Sequence, residues 1–596
     1  VTAGVLLVVG ADRDDLARRA DRSAAPGEAG WASPSERALV RAWTERGWPD
    51  PNVVVAPGGA GTTIAAWGGW PIALGTRCAP HDLAAAIHRA AAADGPDRFD
   101  ALRGTYGAVA LDGSGAGRAF GDPLGLRPLY WGRIGTVLAA GTDVHRVAAV
   151  LADGRAAPAR RPFTACALGA VGYRPPQASG YEDVRRLEPG AWIEVTADGR
   201  AKIVDRGRPW LQLDDLHGAE PAELLEVVRL EIGRGLETAL ALGDPVVELT
   251  GGKDSRLLLA ALIELGVAPR VRFETAGLAD LPDVQVASTI ATSLGLRHES
   301  VFRSANVHGL PYRTLFDRFV ERTGGMVSGW EARPIPDHRV DLRLSGLNGE
   351  ALRTRQRIDP GHHRSPAERA AAMRRCLPTS ALGLATPEYA AALEAAFERA
   401  LEEVRAETDS DHDAVDTFHL QVRTPQRYGP LDEIQPGRRI LPLSSLRAIR
   451  AAFALGGRRR HAEVIHHALI HRASPELAVA PFALDGWPDD LATFAPTATS
   501  APARSSASPP TSPSTSTSTS TSARIPADRL MASLQRTLAP DRRELLHDLL
   551  ADTTNPAWDL LDRHRAIDAL ERYDELRPQQ RRELYGAASA AQWCGA

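Results

Sequence analysis

Lysine is almost missing from this 596-residue chain: of its 70 basic residues only Lys202 and Lys253 are lysines, and the rest are arginine. A GC-rich coding bias accounts for the skew, and against that background the position of each lysine carries information. Cysteine is scarce as well. Cys78, Cys166, Cys376 and Cys594 are widely scattered, with no Cys-x-x-Cys pair and no disulfide framework, which points to a reducing cytoplasm. No apolar run approaches the roughly 20 residues that a membrane span needs. The apolar start, Val1 to Gly10, has no basic flank and runs straight into Ala-Asp-Arg-Asp-Asp, so no signal peptide is expected. A net charge of −4 offers no general reason for nucleic-acid binding. What the chain has in quantity is apolar residues, 44% beside 24% charged, enough for a soluble globular protein of two to four domains at about 100–200 residues each.

Residues 1–208 read as β-rich. Short apolar runs (Gly4-Val-Leu-Leu-Val-Val, Tyr106-Gly-Ala-Val-Ala-Leu, Val137-Leu-Ala-Ala, Ala191-Trp-Ile-Glu-Val) are separated by Gly, Asp and Pro turns, with helical patches such as 81–92. From 209 to 492 the pattern changes. Helical spacing over 222–242, a buried strand at 245–249, a helix at 256–265, a strand at 271–275 and a helix at 283–294 predict βαβ units and a parallel sheet. Residues 493–523, ending in Ser-Pro-Ser-Thr-Ser-Thr repeats, cannot bury apolar area and are expected to be a disordered insert. Helical periodicity returns over 524–596 (Leu530, Leu534, Leu538; Leu545, Leu549), and these helices are expected to pack on the second domain.

The sharpest local signal is Val246-Val-Glu-Leu-Thr-Gly-Gly-Lys-Asp-Ser-Arg256. A buried strand ends, two glycines follow, and a helix begins. Glycines let backbone amides approach phosphate oxygens, and a helix N-terminus adds unpaired N–H groups and positive potential. Thr250, Lys253 and Ser255 add side-chain donors, and Asp254 puts an acid where a nucleotide's Mg²⁺ would sit. The spacing is not that of a Walker A loop. One of only two lysines falls in this loop, where a flexible ammonium suits phosphate as a point charge, here the β/γ-phosphates. The bland alternative is an ordinary glycine turn; Lys202, in a polar hairpin-like stretch, reads as surface.

The loop resembles the Ser-Gly-Gly-x-Asp-Ser loop of the ATP-pyrophosphatase families, with Thr250 in place of the usual serine. Leu342-Arg-Leu-Ser-Gly-Leu-Asn-Gly-Glu-Ala-Leu-Arg353 resembles a shortened Ser-Gly-x-Gly-x-Asp-Glu motif of asparagine synthetases. That resemblance implies ATP and Mg²⁺ as cofactors, with Lys253, Asp254 and Glu350 as catalytic residues. ATP would contact Leu249, Thr250, Gly251, Gly252, Lys253, Asp254, Ser255, Thr275, Ser345 and Gly346, and the metal Asp254 and Glu350. For Glu350 the alternative is an acid near a helix start; Arg353 and Arg355 are either phosphate clamps or a solvated face. His298, in a stretch resembling the family's "D…A…A..LG..H" pattern, reads equally as a packed histidine. Arg423-Thr-Pro-Gln-Arg-Tyr-Gly with Ile440-Leu-Pro-Leu resembles the segment after which the family's asparagine and β-lactam synthetases place a catalytic lysine, and no lysine follows Lys253. Gly456-Gly-Arg-Arg-Arg-His461 occupies that neighbourhood, with His461 as a guess for the amine's proton acceptor.

Leu102-Arg-Gly-Thr-Tyr-Gly and Phe120-Gly-Asp-Pro-Leu-Gly-Leu-Arg-Pro-Leu-Tyr-Trp131 resemble the class II glutamine amidotransferase domain. Its glutaminase needs an N-terminal cysteine, and the first cysteine here is Cys78, so glutamine hydrolysis is expected to be lost. The implied fold class is α+β and α/β: an inactive N-terminal Ntn-type glutaminase-like β-sandwich domain, then an α/β ATP-pyrophosphatase synthetase domain with a helical C-terminal part. Gly-Gly-Lys-Asp-Ser-Arg combined with Gly-x-x-Gly-Glu-x-x-Arg resembles the lasso peptide cyclases, which join an Asp or Glu side chain of a peptide to its own N-terminal amine. The resemblance implies a peptide substrate, a leader peptidase and a leader-recognition protein as partners. The alternatives are a small-molecule ligase, β-lactam-synthetase-like or using ammonia or an amine, and a non-catalytic ATP-binding scaffold.

Overall fold

The computed structural model describes the chain except for residues 1–3, 22–27, 34, 44–51, 59–60, 153–156, 302–310, 333–341, 355–364, 427–437, 485, 495–539 and 596. Arg355, Leu530, Leu534, Leu538 and nearly all of the 493–523 insert lie outside the described residues. Among the described residues no helix is long and apolar enough to cross a membrane.

The architecture is mixed α and β, with three sheets among the described residues. The chain from Gly4 to Val204 supplies two six-stranded sheets whose pairings are all antiparallel. Strand Gly4–Val9 lies inside the first, between Ala38–Trp43 and Val137–Gly141. Successive side chains of a strand point to opposite faces. Val5, Leu7 and Val9 therefore meet Ile64, Val109 and Ile193 of the second sheet, while Leu6 and Val8 meet Val147 and Leu151 of the helix Val144–Leu151. Burial on both faces is why this strand reads as an unbroken apolar run. The motif around Asp122 also has a structural reason. Its carboxylate accepts the N–H groups of Leu124, Leu126 and Arg127 at 3.1, 2.9 and 2.8 Å, closing a turn in which Gly125 takes φ 62°.

The third sheet is parallel throughout. Its order is Arg297–Val301, Arg272–Ala276, Val246–Glu248, Leu342–Leu344, Arg438–Ile440. From the central strand Val246–Glu248 the chain first builds outward on one side and then returns to build on the other. The strand order therefore reverses between Val246–Glu248 and Leu342–Leu344. In open parallel sheets, the crevice beyond the carboxyl ends at such a switch point is where ligands bind. Helix Lys253–Glu264 packs against Pro221–Ala241 and Val464–Ala473 over a core that includes Val247, Leu258, Phe273, Leu344 and Ile465.

The described C-terminal helices Pro540–Ala551, Arg563–Glu571 and Pro578–Gly595 pack on one another, on the N-terminal helix Pro162–Val171, and on Tyr312–Arg322. Gly169 and Gly586 let Pro162–Val171 and Pro578–Gly595 approach closely: a Cβ on Gly169 would lie 2.7 Å from the Ala587 backbone nitrogen. This reverses the usual sign of a helix Gly→Ala change. Gly169→Ala should lower stability by about 1–3 kcal/mol through overpacking. Gly233→Ala, in helix Pro221–Ala241 with nothing within 4 Å of the added Cβ, should raise it by about 0.5–1 kcal/mol. Thermal melts of the two variants check the pair, and shifts of the same sign would refute this packing.

Candidate functional site

The loop after the central strand is held by its own hydroxyls and by the neighbouring strand. Leu249 is fully buried; its N–H donates to the Glu274 carbonyl at 2.9 Å and its carbonyl accepts from Thr275 Oγ1 at 2.6 Å. Thr275 also meets His298 Nε2 at 2.7 Å, and His298 Nδ1 lies 3.4 Å from Ser288 Oγ. His298 is thus a packed, hydrogen-bonded histidine, and burial lowers its pKa. Ser255 Oγ accepts the Thr250 N–H at 3.1 Å, Thr250 Oγ1 accepts the Gly252 N–H at 3.2 Å, and Asp283 accepts the Gly251 N–H at 2.9 Å. Helix Lys253–Glu264 then starts, with Gly252 as its N-cap. The first-turn amides have no intrahelical acceptor, and the helix end carries positive potential.

The second motif closes on the first. Ser345 is buried, its N–H donating to the Ile440 carbonyl at 3.1 Å. Asn348 sits at φ 67°, a conformation asparagine tolerates better than most residues, and its amide reaches Ser444 Oγ at 2.9 Å. A Cβ on Gly346 would fall 2.7 Å from the Ser255 backbone nitrogen, and one on Gly349 2.5 Å from Asp254 Oδ1. Both glycines are therefore needed for the two motifs to touch. Leu249 to Ser255 and Ser345 to Glu350 follow the carboxyl ends of the two strands flanking the switch point, and Thr275 lies in the adjacent strand Arg272–Ala276, bonded to Leu249.

The charged groups form one network. Arg353 grips Asp254 with two bonds of 2.9 Å, and His466 Nε2 lies 2.9 Å from Asp254 Oδ1. Burial pushes the Asp254 carboxyl up, but the charge and hydrogen bonds of Arg353 and His466 outweigh it and hold the group well below the usual carboxylate range. Arg353 is therefore held in an ion pair with Asp254 and does not lie on a solvated face. Lys253, 6% exposed, donates to the Glu463 carboxylate and, at 2.7 Å, to the Gly486 carbonyl. Its ammonium lies 5.6 and 5.3 Å from the Phe482 and Trp487 rings. Arg353 Nη1 also reaches Glu463 Oε1 at 3.5 Å, and Glu350, equally buried, has His419 Nε2 at 3.8 Å. The stretch around Phe482 crosses the loop: Ala483 N–H donates to the Gly251 carbonyl at 3.2 Å, and Arg256 donates to the carbonyls of Leu477, Ala480 and Pro481.

Among the described residues no group of three or more His, Cys, Asp or Glu is arranged to hold a metal ion. Asp254 and Glu350 are a two-carboxylate set from adjoining motifs. That matches what Mg²⁺ takes from a protein when phosphates and water supply its other oxygens. The donor chemistry therefore fits a nucleotide-borne metal, with Arg353 as its competitor for Asp254.

Two residues of the network, Glu463 and His466, were not singled out from sequence. They lie three apart at the start of helix Val464–Ala473, on one face. An acid and a histidine at that spacing on a helix with buried Ile465 and Leu469 was the available signal. His461 points elsewhere: it lies 3.5 Å from Asp490 and beside His412. In the arginine run before it, Arg460 is wholly buried and paired with Asp413 and Asp416. Lys202 is exposed and pairs with Glu194 at 2.6 Å.

No family model and no curated protein sequence matches the chain. Among solved structures, it is similar to a glutamine phosphoribosylpyrophosphate amidotransferase from B. subtilis complexed with ADP and GMP, at 13% identity over 58% of this chain and 81% of that one, with a TM-score of 0.23. It is also similar to an allosteric regulatory enzyme of purine biosynthesis, at 13% identity over 52% of this chain and 76% of that one, again with a TM-score of 0.23.

Proposed function

We propose that this chain is an ATP-dependent, AMP-forming amide ligase. It would adenylate an Asp or Glu side-chain carboxylate of a leaderless peptide and close a macrolactam with that peptide's N-terminal amine. The observation that carries the reading is the meeting of two glycine-bearing motifs, Thr250–Ser255 and Ser345–Glu350, across the switch point of a parallel sheet. In this proposal the helix-start amides, Lys253, Arg353, Asp254 and Glu350 would serve one ligand, the inventory a metal-bound triphosphate requires.

In this reading the first-turn amides and Lys253 would take the phosphates, and Asp254 and Glu350 would hold Mg²⁺, which when bound would neutralise phosphate charge. The substrate carboxylate would attack the α-phosphorus and expel pyrophosphate; the amine would then attack the acyl carbon, AMP leaving with the bridging oxygen and the amine proton passing to solvent. Holding both ends of the peptide together supplies the effective concentration for ring closure. Cys78 is an interior residue with no α-amine to act as its base, and its thiol faces the Ala73 carbonyl at 3.6 Å. The peptide-cyclase choice rests on the resemblance of Gly251-Gly-Lys-Asp-Ser-Arg256 combined with Gly346-Leu-Asn-Gly-Glu-Ala-Leu-Arg353 to the lasso cyclases, and the given sequence carries no lysine after Lys253 of the kind a β-lactam synthetase uses.

ATP–pyrophosphate exchange tests the proposal, run with Mg²⁺ alone, with small amino acids, and with a leaderless peptide carrying an internal Asp or Glu. Exchange only with the peptide is the expected result. Exchange with a small amino acid would move the reading to the small-molecule ligases. Absence of both exchange and AMP release, with leader peptidase and leader-recognition protein present, would reduce the chain to a scaffold.

Gly252→Ala separates nucleotide binding from folding. A Cβ there meets only Thr250 Oγ1, at 3.3 Å, so the fold should tolerate it. The methyl group would nevertheless stand where phosphate oxygens approach the loop. ATP affinity should fall about tenfold or more, equivalent to about 1.4 kcal/mol, while the loss of a glycine N-cap should cost only about 1 kcal/mol of stability. Calorimetric titration with Mg-ATP reads this, and unaltered affinity would remove Gly252 from the phosphate site.

A further inference from the structure

We infer that Glu463 is a positioning residue for the phosphate loop, presenting the Lys253 ammonium and the Arg353 guanidinium to the nucleotide; this rests on the ATP-binding reading above. The two cations come from different motifs, and Glu463 touches both, Lys253 through Oε2 and Arg353 through Oε1. It is the acid that ties the two motifs together through their cations.

Three independent features set Glu463 apart from an incidental ion pair. It is 1% exposed, and burying a carboxylate costs more than an ion pair ordinarily returns. Its backbone is left-handed, at φ 57° and ψ 32°, which is unfavourable for a glutamate, and such strain persists where the surroundings enforce it and collects at functional sites. It occupies the N-cap of helix Val464–Ala473, yet its side chain makes no capping hydrogen bond. A glutamate at that position would ordinarily favour the helix's own amides; this one is turned to Lys253 and Arg353 instead. His466, one turn on, reaches Asp254 from the same helix. One helix start therefore addresses Lys253, Arg353 and Asp254 together.

The two cations depend on Glu463 unequally. Arg353 keeps its two bonds to Asp254 without it. Lys253, on a flexible four-carbon stem, would keep the Gly486 carbonyl and two aromatic faces. The influence of Glu463 on the nucleotide thus passes chiefly through Lys253.

A double-mutant cycle on Mg-ATP affinity tests this, using wild type, Glu463→Gln, Lys253→Met and the double variant in the full chain. Each single change should weaken binding by about tenfold or more, and the double variant should bind within about threefold of Lys253→Met alone, because coupled residues are not additive. Multiplying effects, or wild-type affinity in Glu463→Gln, would overturn the inference. A second readout needs no nucleotide. The chain has two lysines, so amine-directed acylation followed by peptide mass reads buried Lys253 against exposed Lys202. In Glu463→Gln, Lys253 should be acylated about tenfold faster or more, with Lys202 unchanged; an unchanged Lys253 rate would refute the positioning role whether or not ATP binds. Wild-type protein that fails to bind Mg-ATP while Lys253 responds would instead defeat the ligase reading. Glu463→Gly removes the carboxylate while suiting the left-handed backbone, and it should give the same acylation result should Glu463→Gln fail to fold.

Discussion

Asp254→Asn should lower ATP–pyrophosphate exchange by about a thousandfold or more, near 4 kcal/mol of transition-state stabilisation, because the carboxylate is both the proposed metal ligand and the partner of Arg353. Stability should fall as well. Removing one member of a buried pair costs about 3–5 kcal/mol. Asp254 keeps 23% of its side chain exposed and Asn retains a hydrogen-bonding oxygen, so about 1–3 kcal/mol is expected here. The acid response supplies a separate check. The folded-state pKa of Asp254 is depressed, so the stability it contributes is fully present above the ordinary carboxylate value of about 4 and is lost as pH falls toward the depressed one. Urea midpoints compared at about pH 6 and about pH 3 should converge between wild type and Asp254→Asn as the pH falls. Full exchange activity in Asp254→Asn would end its assignment to the site, and a constant stability gap would contradict the ion pair with Arg353.

Gly349→Ala should be as damaging by a different route. The added Cβ would lie 2.5–2.6 Å from Oδ1, Cβ and Cγ of Asp254, contacts that real Cβ atoms do not make. The Arg353 grip cannot be kept while Asp254 yields. Either the second motif retreats from the loop or the network opens; both break the meeting on which the proposed adenylation would depend. Exchange should fall by at least about a hundredfold, and stability by about 1–3 kcal/mol from overpacking. Gly346→Ala, whose Cβ would press on the Ser255 backbone nitrogen at 2.7 Å, should behave alike. Measuring exchange and melting for both alongside Gly252→Ala separates a closed interface from an open loop: the first two should lose more stability than the third. Activity in Gly349→Ala near that of wild type would mean that the two motifs need not touch.

Arg353 bonds to both Asp254 and Glu463, so removing Asp254 hands the guanidinium to Glu463 and can draw Lys253 out of register. An Asp254 variant therefore reports on the network as well as on the proposed metal site, and Glu350→Gln, whose carboxylate lies by His419, is a second probe of that proposed site.

The sequence by itself determined the parts whose causes are local. The strand, glycine pair and helix of 246–264 could be read because the strand's apolar run, the turn residues and the helical spacing are neighbours in the chain. The same holds for helices Pro80–Ala92 and Pro282–Ser293 and for the antiparallel strands between Gly4 and Val204. It also singled out the two acids and the one lysine on which the function is proposed to rest. Only the tertiary structure decided what those groups touch. Lys253 and Glu463 are 210 residues apart, and Asp254 and His466 are 212 apart. No periodicity spans such distances, because the order of strands in the sheet and the packing of Val464–Ala473 on the loop helix bring the pairs together. For the same reason the sequence left Arg353 undecided between clamp and solvent and turned attention to His461 rather than His466. Which face of a helix meets a charged partner is settled by packing across the core, and packing is a property of the whole fold.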